Sequence, residues 1–163
     1  MNDKDNTKDT REIPHSHLLH ALLPIIFIVI WVLDSWILLI SVWLNEFVPS
    51  ILRLILFITI LGLAFIIIVL AHKTLFDHNG PSDTLLTSGI LGHVRNPLYL
   101  GILLIYVAVL FLSISIISIV LFIIIFLIYN WMVNFEEKKL EKIFSNEYLE
   151  YKKKVPKWIP KLF

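Results

Sequence analysis

Cysteine is absent from the 163 residues. Its absence removes disulfides, thiol nucleophiles and Cys-ligated metal sites. Histidines are present, but His72, His78 and His93 follow no known ligand spacing, and with no cysteine beside them zinc is not expected. The formal net charge is only +1, so the chain carries no bulk electrostatic case for nucleic acid. Basic residues are also missing from two short stretches, 45–50 and 113–115.

Apolar residues are what the chain has in excess. They make up 58% of it, the mean hydropathy is +0.82, and they come in long runs of Ile, Leu, Val and Phe. Runs of that length point to a bilayer as solvent and to a single domain. A hydrocarbon core takes about 20 apolar residues per helix. Residues 18–44 meet this with two interruptions, Pro24 and Asp34, and residues 51–71 form a cleaner second run. Residues 98–112 and 114–133 read as a tight helical hairpin about the polar break at Ser113, Ile114 and Ser115. The fold class expected is therefore all-α, an integral membrane bundle of about four transmembrane helices. Residues 1–17 read as a polar, disordered tail and 18–163 as one membrane domain, closing in a cytoplasmic helix and amphipathic tail over 134–163.

The basic residues set the orientation. Lys4, Lys8 and Arg11 precede the first run, Lys73 and Arg95 lie between the second and third, and eight lysines follow the fourth. The two turns on the other side have none, so an even number of spans with both termini cytoplasmic in the cell membrane satisfies the positive-inside rule. Arg53 alone falls on the wrong side, where it can snorkel to the interface. The first run is too long for a cleaved signal peptide and no small-residue cleavage site follows it. An acid in mid-span, Asp34, is expected to make a hydrogen-bonded contact between helices that fixes packing.

Two polar segments flank the hairpin. The first, 73–97, contains a turn signal at His78-Asn79-Gly80-Pro81 and ends with Asn96 before Pro97. Pro97 suits the first turn of a helix, which makes Asn96 an expected N-cap. Gly101, one turn in, leaves room for a close neighbour. The second segment begins with Glu136 and Glu137, where the fourth span leaves the membrane. These acids, read in isolation, would be solvated and paired with Lys138, Lys139 or Lys142. Arg95 alone would be an interfacial anchor and Tyr99 part of an aromatic belt. The lysines and Trp158 near the C-terminus suit a tail lying on an anionic leaflet.

Taken together, these segments carry a family resemblance. Leu86-Thr87-Ser88-Gly89 and Arg95-Asn96-Pro97-Leu98-Tyr99-Leu100-Gly101 resemble the first signature of the membrane methyltransferases related to isoprenylcysteine carboxyl methyltransferase and phospholipid N-methyltransferase. Glu136-Glu137, Leu140, Phe144, Glu147-Tyr148, Tyr151, Val155-Pro156 and Pro160 resemble the second. The likeness covers about 84–163 by motif and the first two spans by hydrophobicity only.

The resemblance implies a pocket for S-adenosylmethionine at the cytoplasmic face, open to the bilayer for a lipid or lipidated small-molecule acceptor. It implies that Leu86 and Gly89 lie next to the adenine. His93, Arg95, Asn96 and Tyr99 would contact the cofactor's polar parts, and Glu136 or Glu137 would hold its ammonium group. Arg95 and Glu137 are the implied catalytic pair. Asn96 stands where well-studied relatives have His, Ile90-Leu91 where a Pro-aromatic pair is usual, and Gly92 and His93 where basic and aromatic residues are usual. The acceptor, a prenylcysteine-type carboxylate or a lipid amine, stays open. Methyl transfer from a sulfonium is an in-line displacement that asks mainly for orientation and exclusion of water. The rival readings are an NADPH-dependent reductase of the sterol type and a non-enzymatic membrane scaffold.

Overall fold

The computed structural model describes residues 16–76 and 84–161. The N-terminal tail to residue 15 and the turn signal at His78-Asn79-Gly80-Pro81 lie outside the described residues. Helix α1 spans Ser16–Val32 and runs on through a π-helical turn, Leu33–Leu38. Helix α2 spans Ser50–Phe76, α3 Pro97–Leu112 and α4 Ile116–Lys154. Short 3-10 turns at Trp43–Glu46 and Gly89–Gly92 complete the described elements.

Leu18–Leu38, Ser50–Phe76 and Ile116–Lys154 are long and apolar enough to cross a membrane. Helix α3 is apolar but has 16 residues, about 24 Å at 1.5 Å per residue, against a hydrocarbon core of about 30 Å. The outer surface agrees with a lipid environment. Phe65, Trp36, Ile55 and Ile66 are all more than half exposed. A soluble monomer does not display contiguous apolar surface on that scale.

Core packing brings α1, α3 and α4 together. Phe27 and Trp31 of α1 meet Leu103 and Tyr106 of α3 and Ile125, Tyr129 and Met132 of α4 in one buried cluster. Helix α2 packs antiparallel on α3. They come close at Gly101, where an added Cβ would stand 2.4 Å from Ile68 Cγ1 and 3.3 Å from the Ala64 carbonyl oxygen. That is the close neighbour the sequence leaves room for.

The ends of the bundle are unlike one another. At the hairpin end, Asp34 accepts hydrogen bonds from the Ser41 backbone N–H and hydroxyl and from the Ser115 hydroxyl. Asn45 accepts from the Ile114 N–H at 2.8 Å and donates to Ser113 Oγ at 2.9 Å. Trp31 Nε1 donates to the Ser113 carbonyl. The α3–α4 turn is thereby fastened to the end of α1, and Asp34 is the interhelix contact anticipated.

Two expectations are corrected here. The first helix stops at Leu38, not residue 44: Asp34 draws the backbone of Ser41 back onto itself, and Leu39 takes the left-handed conformation at φ 53° that ends the helix. Arg53 does not snorkel. Its Nη1 donates to Asn45 Oδ1 at 2.8 Å and to the Leu112 carbonyl at 2.9 Å, so its charge closes the C-terminus of α3.

Candidate functional site

At the opposite end Arg95 is the centre of the construction. Its Nε donates to Glu137 Oε1 at 3.0 Å and its Nη2 to Glu137 Oε2 at 3.3 Å, a two-point pairing. Nη1 donates to the carbonyls of Lys152 and Val155 at 2.9 and 2.6 Å. Asn96 Nδ2 adds a further bond to Glu137 Oε1 at 3.0 Å. The two charged side chains are only 8% and 4% exposed. This geometry corrects three isolated readings. Glu137 pairs with Arg95 rather than with Lys138, Lys139 or Lys142. Arg95 is buried rather than anchored at the interface. Asn96 precedes Pro97 as expected but makes no capping bond; its side chain is turned to Glu137, to which the amide donates.

The segment that covers Arg95 is made by a break in α4. Ser145 has φ 47° and ψ −120°, outside any helical region, so residues 146–154 run in a new direction. That turn carries Tyr148, Tyr151 and Val155 onto Leu85, Leu140 and Phe144. The Tyr151 hydroxyl donates to the Leu91 carbonyl at 2.6 Å, and the Arg95 N–H donates to the Pro156 carbonyl at 3.0 Å. Arg95 therefore receives the carbonyls at the C-terminal end of this last helical stretch, where the helix dipole favours a cation. Burial pushes the Tyr151 phenol up to about 12, with Arg95 opposing and Glu137 adding to the rise. Burial likewise raises the Tyr148 phenol, reinforced by Glu137. Both phenols stay protonated at any physiological pH. Beyond the helix, Lys157 Nζ donates to Asn130 Oδ1 and Asn134 Oδ1 at 2.6 and 2.8 Å, and Trp158 packs on Phe126. These two residues dock on α4 instead of spreading over a leaflet, and burial lowers the Lys157 pKa.

Two cavities meet beside this assembly. One, of about 380 Å³, lies under the cap and has Arg95, Asn96, Tyr99 and Glu136 on its polar side and Leu85, Leu86, Leu91 and Phe144 on its apolar side. The other, of about 640 Å³, lies among α1, α3 and α4 and is lined mainly by apolar side chains such as Pro24, Phe27, Ile102 and Val109. Both volumes are in the range of small-molecule sites. Leu98, Tyr99 and Glu136 belong to both walls. At that junction the Tyr99 hydroxyl donates to Glu136 Oε1 at 2.5 Å. His20 of α1 reaches the same place, its ring 5.4 Å from Tyr99 and 5.6 Å from Tyr129.

Of the residues singled out in the sequence, Leu86, Arg95, Asn96, Tyr99 and Glu136 share the smaller cavity. Glu137 is buried and is not on its wall. Gly89 and His93 are not on it either. Gly89 takes φ +59°, and an added Cβ would meet Thr74 Oγ1 at 2.8 Å, so glycine is required there for the turn. His93 is exposed and faces a separate surface groove with Glu147 and Lys154. Sequence reasoning missed His20, Tyr106 and Tyr129, which sit in apolar helices where nothing in the local pattern marks them. Tyr148 and Tyr151 were visible in the second signature without a place in the site. Among the described residues no group of His, Asp and Glu could hold a metal ion.

No curated protein and no solved structure matches the chain. Residues 51–147, well over half of its length, match the family model of the phospholipid methyltransferases. The two signatures meeting in space, the membrane helices and this match agree, and the chain belongs to the phospholipid methyltransferase family of membrane methyltransferases.

Proposed function

We propose that the protein transfers a methyl group from S-adenosylmethionine to an amine carried by a membrane lipid. The observation that supports this most is the shared wall of the two cavities: a polar-and-apolar chamber and a lipid-like chamber meet at Tyr99 and Glu136. The smaller chamber fits the cofactor. It offers leucine and phenylalanine surface for a purine and a carboxylate and an amide for the charged end. When bound, the cofactor supplies an electrophilic methyl group.

The chain's own residues do the positioning. Glu136 is the carboxylate on the cavity wall that meets the ammonium group. Glu137, already bound by Arg95 and Asn96, holds Arg95 and through it the cap. The acceptor enters from the membrane chamber. Among the described residues, that wall carries Glu136 and His20 and neither lysine nor arginine, which favours an amine over a carboxylate acceptor. An amine finds a carboxylate and aromatic faces there, both of which attract cations. It must lose a proton to attack, and beside the three tyrosines of the wall Glu136 and His20 are the groups offered to take it. The surrounding apolar side chains exclude water and leave the nucleophile poorly solvated.

The test is incubation of membranes containing the protein with methyl-labelled S-adenosylmethionine, followed by lipid extraction. Label is expected in an amine-bearing lipid, and purified protein is expected to bind the cofactor in the micromolar range, about −8 kcal/mol. Binding of NADPH in its place would favour the reductase reading. The face bearing Arg95 is assigned to the cytoplasm of the cell from the lysines around it. A reporter fused at Phe163 should be active only when retained on the cytoplasmic side, and activity outside would reverse the orientation.

A further inference from the structure

The outer face of α4 changes character along a single line. Val120, Ile124, Leu127 and Trp131 are 51%, 49%, 58% and 57% exposed and face lipid. Phe135, Lys138 and Lys142 continue the line, since steps of three and four residues return to one side of a helix. The residues of α4 that build the site turn elsewhere: Tyr129, Met132, Val133 and Glu137 are buried.

Phe135, Lys138, Lys139, Glu141 and Lys142 line a shallow cleft of about 360 Å³ on this face. The Lys139 ammonium lies 4.6 Å from the centre of the Phe135 ring. Glu141, the one carboxylate of the cleft, is held by Lys152 at 2.6 Å. Lys138 and Lys142 are exposed and make no ion pair among the described residues. They stand one turn apart, where like charges oppose each other. An anion between them removes that repulsion.

Depth specifies the anion. The polar layer of a bilayer is about 5–8 Å thick on each side of the hydrocarbon core. The apolar run of α4 closes at Val133 and Lys138 follows five residues later, about 8 Å further along the axis. Side chains of a helix lean towards its N-terminus, here back towards the membrane, so the longer reach of Lys142 ends in the same layer. Lipid phosphates occupy that layer. Trp131 and Leu127 beside it offer surface to acyl chains, which a free anion lacks. A zwitterionic head group would bring its own cation to the lysines, so a head group with net negative charge fits better.

We infer that the outer face of α4 holds an anionic phospholipid, its phosphate between Lys138 and Lys142 and its chains along Trp131 and Leu127. The acceptor chamber is lined by Tyr129 and Glu136, on another side of α4. The lipid is therefore a bound neighbour and not the acceptor, and the inference is independent of the amine-lipid reading.

The experiment is native mass spectrometry of the full chain released from detergent after addition of phosphatidylglycerol or phosphatidylcholine. The wild type should bind one phosphatidylglycerol about tenfold more tightly than phosphatidylcholine. Lys138→Gln and Lys142→Gln should each lower that preference about fivefold, and the double variant should bring the two lipids within about threefold of one another. Arginine at both positions should preserve the preference. A Lys153→Gln, Lys154→Gln double variant removes the same charge elsewhere and should also preserve it. Equal loss in that control would reduce the effect to net charge and overturn the site. So would a wild type with no preference, or a preference that survives the Lys138→Gln, Lys142→Gln double variant. Excess inorganic phosphate, matched in ionic strength against chloride, should leave the lipid bound; displacement would make the cleft a free-anion site and overturn the lipid assignment.

Discussion

Glu137→Gln should destabilise the protein by about 3–5 kcal/mol, the usual cost of removing one partner from a buried ion pair. The magnitude follows from burial. Arg95 and Glu137 are 8% and 4% exposed, so the guanidinium left behind would have neither a counter-charge nor bulk water. Lys152, at 3.8 Å from Glu137, keeps its closer partner Glu141 at 2.6 Å and, being itself a cation, does not compensate. The loss should be concentrated in the cap, because Arg95 also binds the carbonyls of Lys152 and Val155. Thermal unfolding in detergent, with limited proteolysis after residue 145, would measure both the size and the location. An Arg95→Met, Glu137→Leu double variant should recover most of the lost stability, since burying neither charge removes the penalty. It should not recover cofactor binding. A Glu137→Gln protein as stable as wild type would show that the pair is not buried in the membrane-bound molecule.

Glu136→Gln should behave in the opposite way, with little change in stability and a large change in binding. Glu136 is half-buried at the junction of the two chambers and accepts from the Tyr99 hydroxyl. Glutamine retains an acceptor for that hydroxyl while removing the charge. Losing a charge-assisted contact costs about 1.5–3 kcal/mol, or about ten- to a hundredfold in affinity for S-adenosylmethionine. Methyl transfer should fall at least as far, because the same carboxylate serves the amine. Asp34→Asn is the control: its partners Ser41 and Ser115 lie at the other end of the bundle. It should lower stability and leave cofactor affinity within about twofold, being outside the range over which such contacts couple. Calorimetry on folded preparations of the two variants decides the matter, and equal affinities for both would remove Glu136 from the site.

The sequence carried the bundle because lipid exposure writes itself in composition. Long apolar runs, the polar break at Ser113 and Ser115 and the mid-span acid were each legible, and the structure ties the last two together through the Asp34–Ser115 bond. The first helix end was not legible, since the apolar run continues past Leu38 and the stop comes from a side chain reaching forward to Ser41. Adjacent acids present a different difficulty. Glu136 and Glu137 are separated by about 100° around the helix, and which one turns to the cavity depends on where Arg95 lies, 42 positions earlier in the chain. His20, Tyr106 and Tyr129 were hidden for a related reason. An aromatic side chain in a membrane helix looks like apolar filling until its neighbours on other helices are known. Gly89 was legible as a residue that matters, and the structure gives it a tight approach to Thr74 at positive φ.

The shortness of α3 has a consequence for the lipids around the protein. Its 16 residues fall about 6 Å short of a typical hydrocarbon core, and hydrophobic mismatch of this sign is relieved by local thinning of the bilayer. Arg53 and Arg95, beside its two ends, bring polar groups to the depth where the apolar helix stops. Thinning of this kind would draw the leaflet next to α3 towards the chamber wall formed by Leu98, Tyr99 and Ile102. With the lipid amine proposed above as acceptor, a lipid entering that dimple would bring its head group down to the level of the junction without being lifted out of its leaflet. The exposure of its acyl chains to water, which an extraction mechanism would have to overcome, would not arise. Membrane thickness becomes a control on turnover: thicker bilayers should deepen the dimple at rising elastic cost, and bilayers matched to α3 should admit the acceptor most readily.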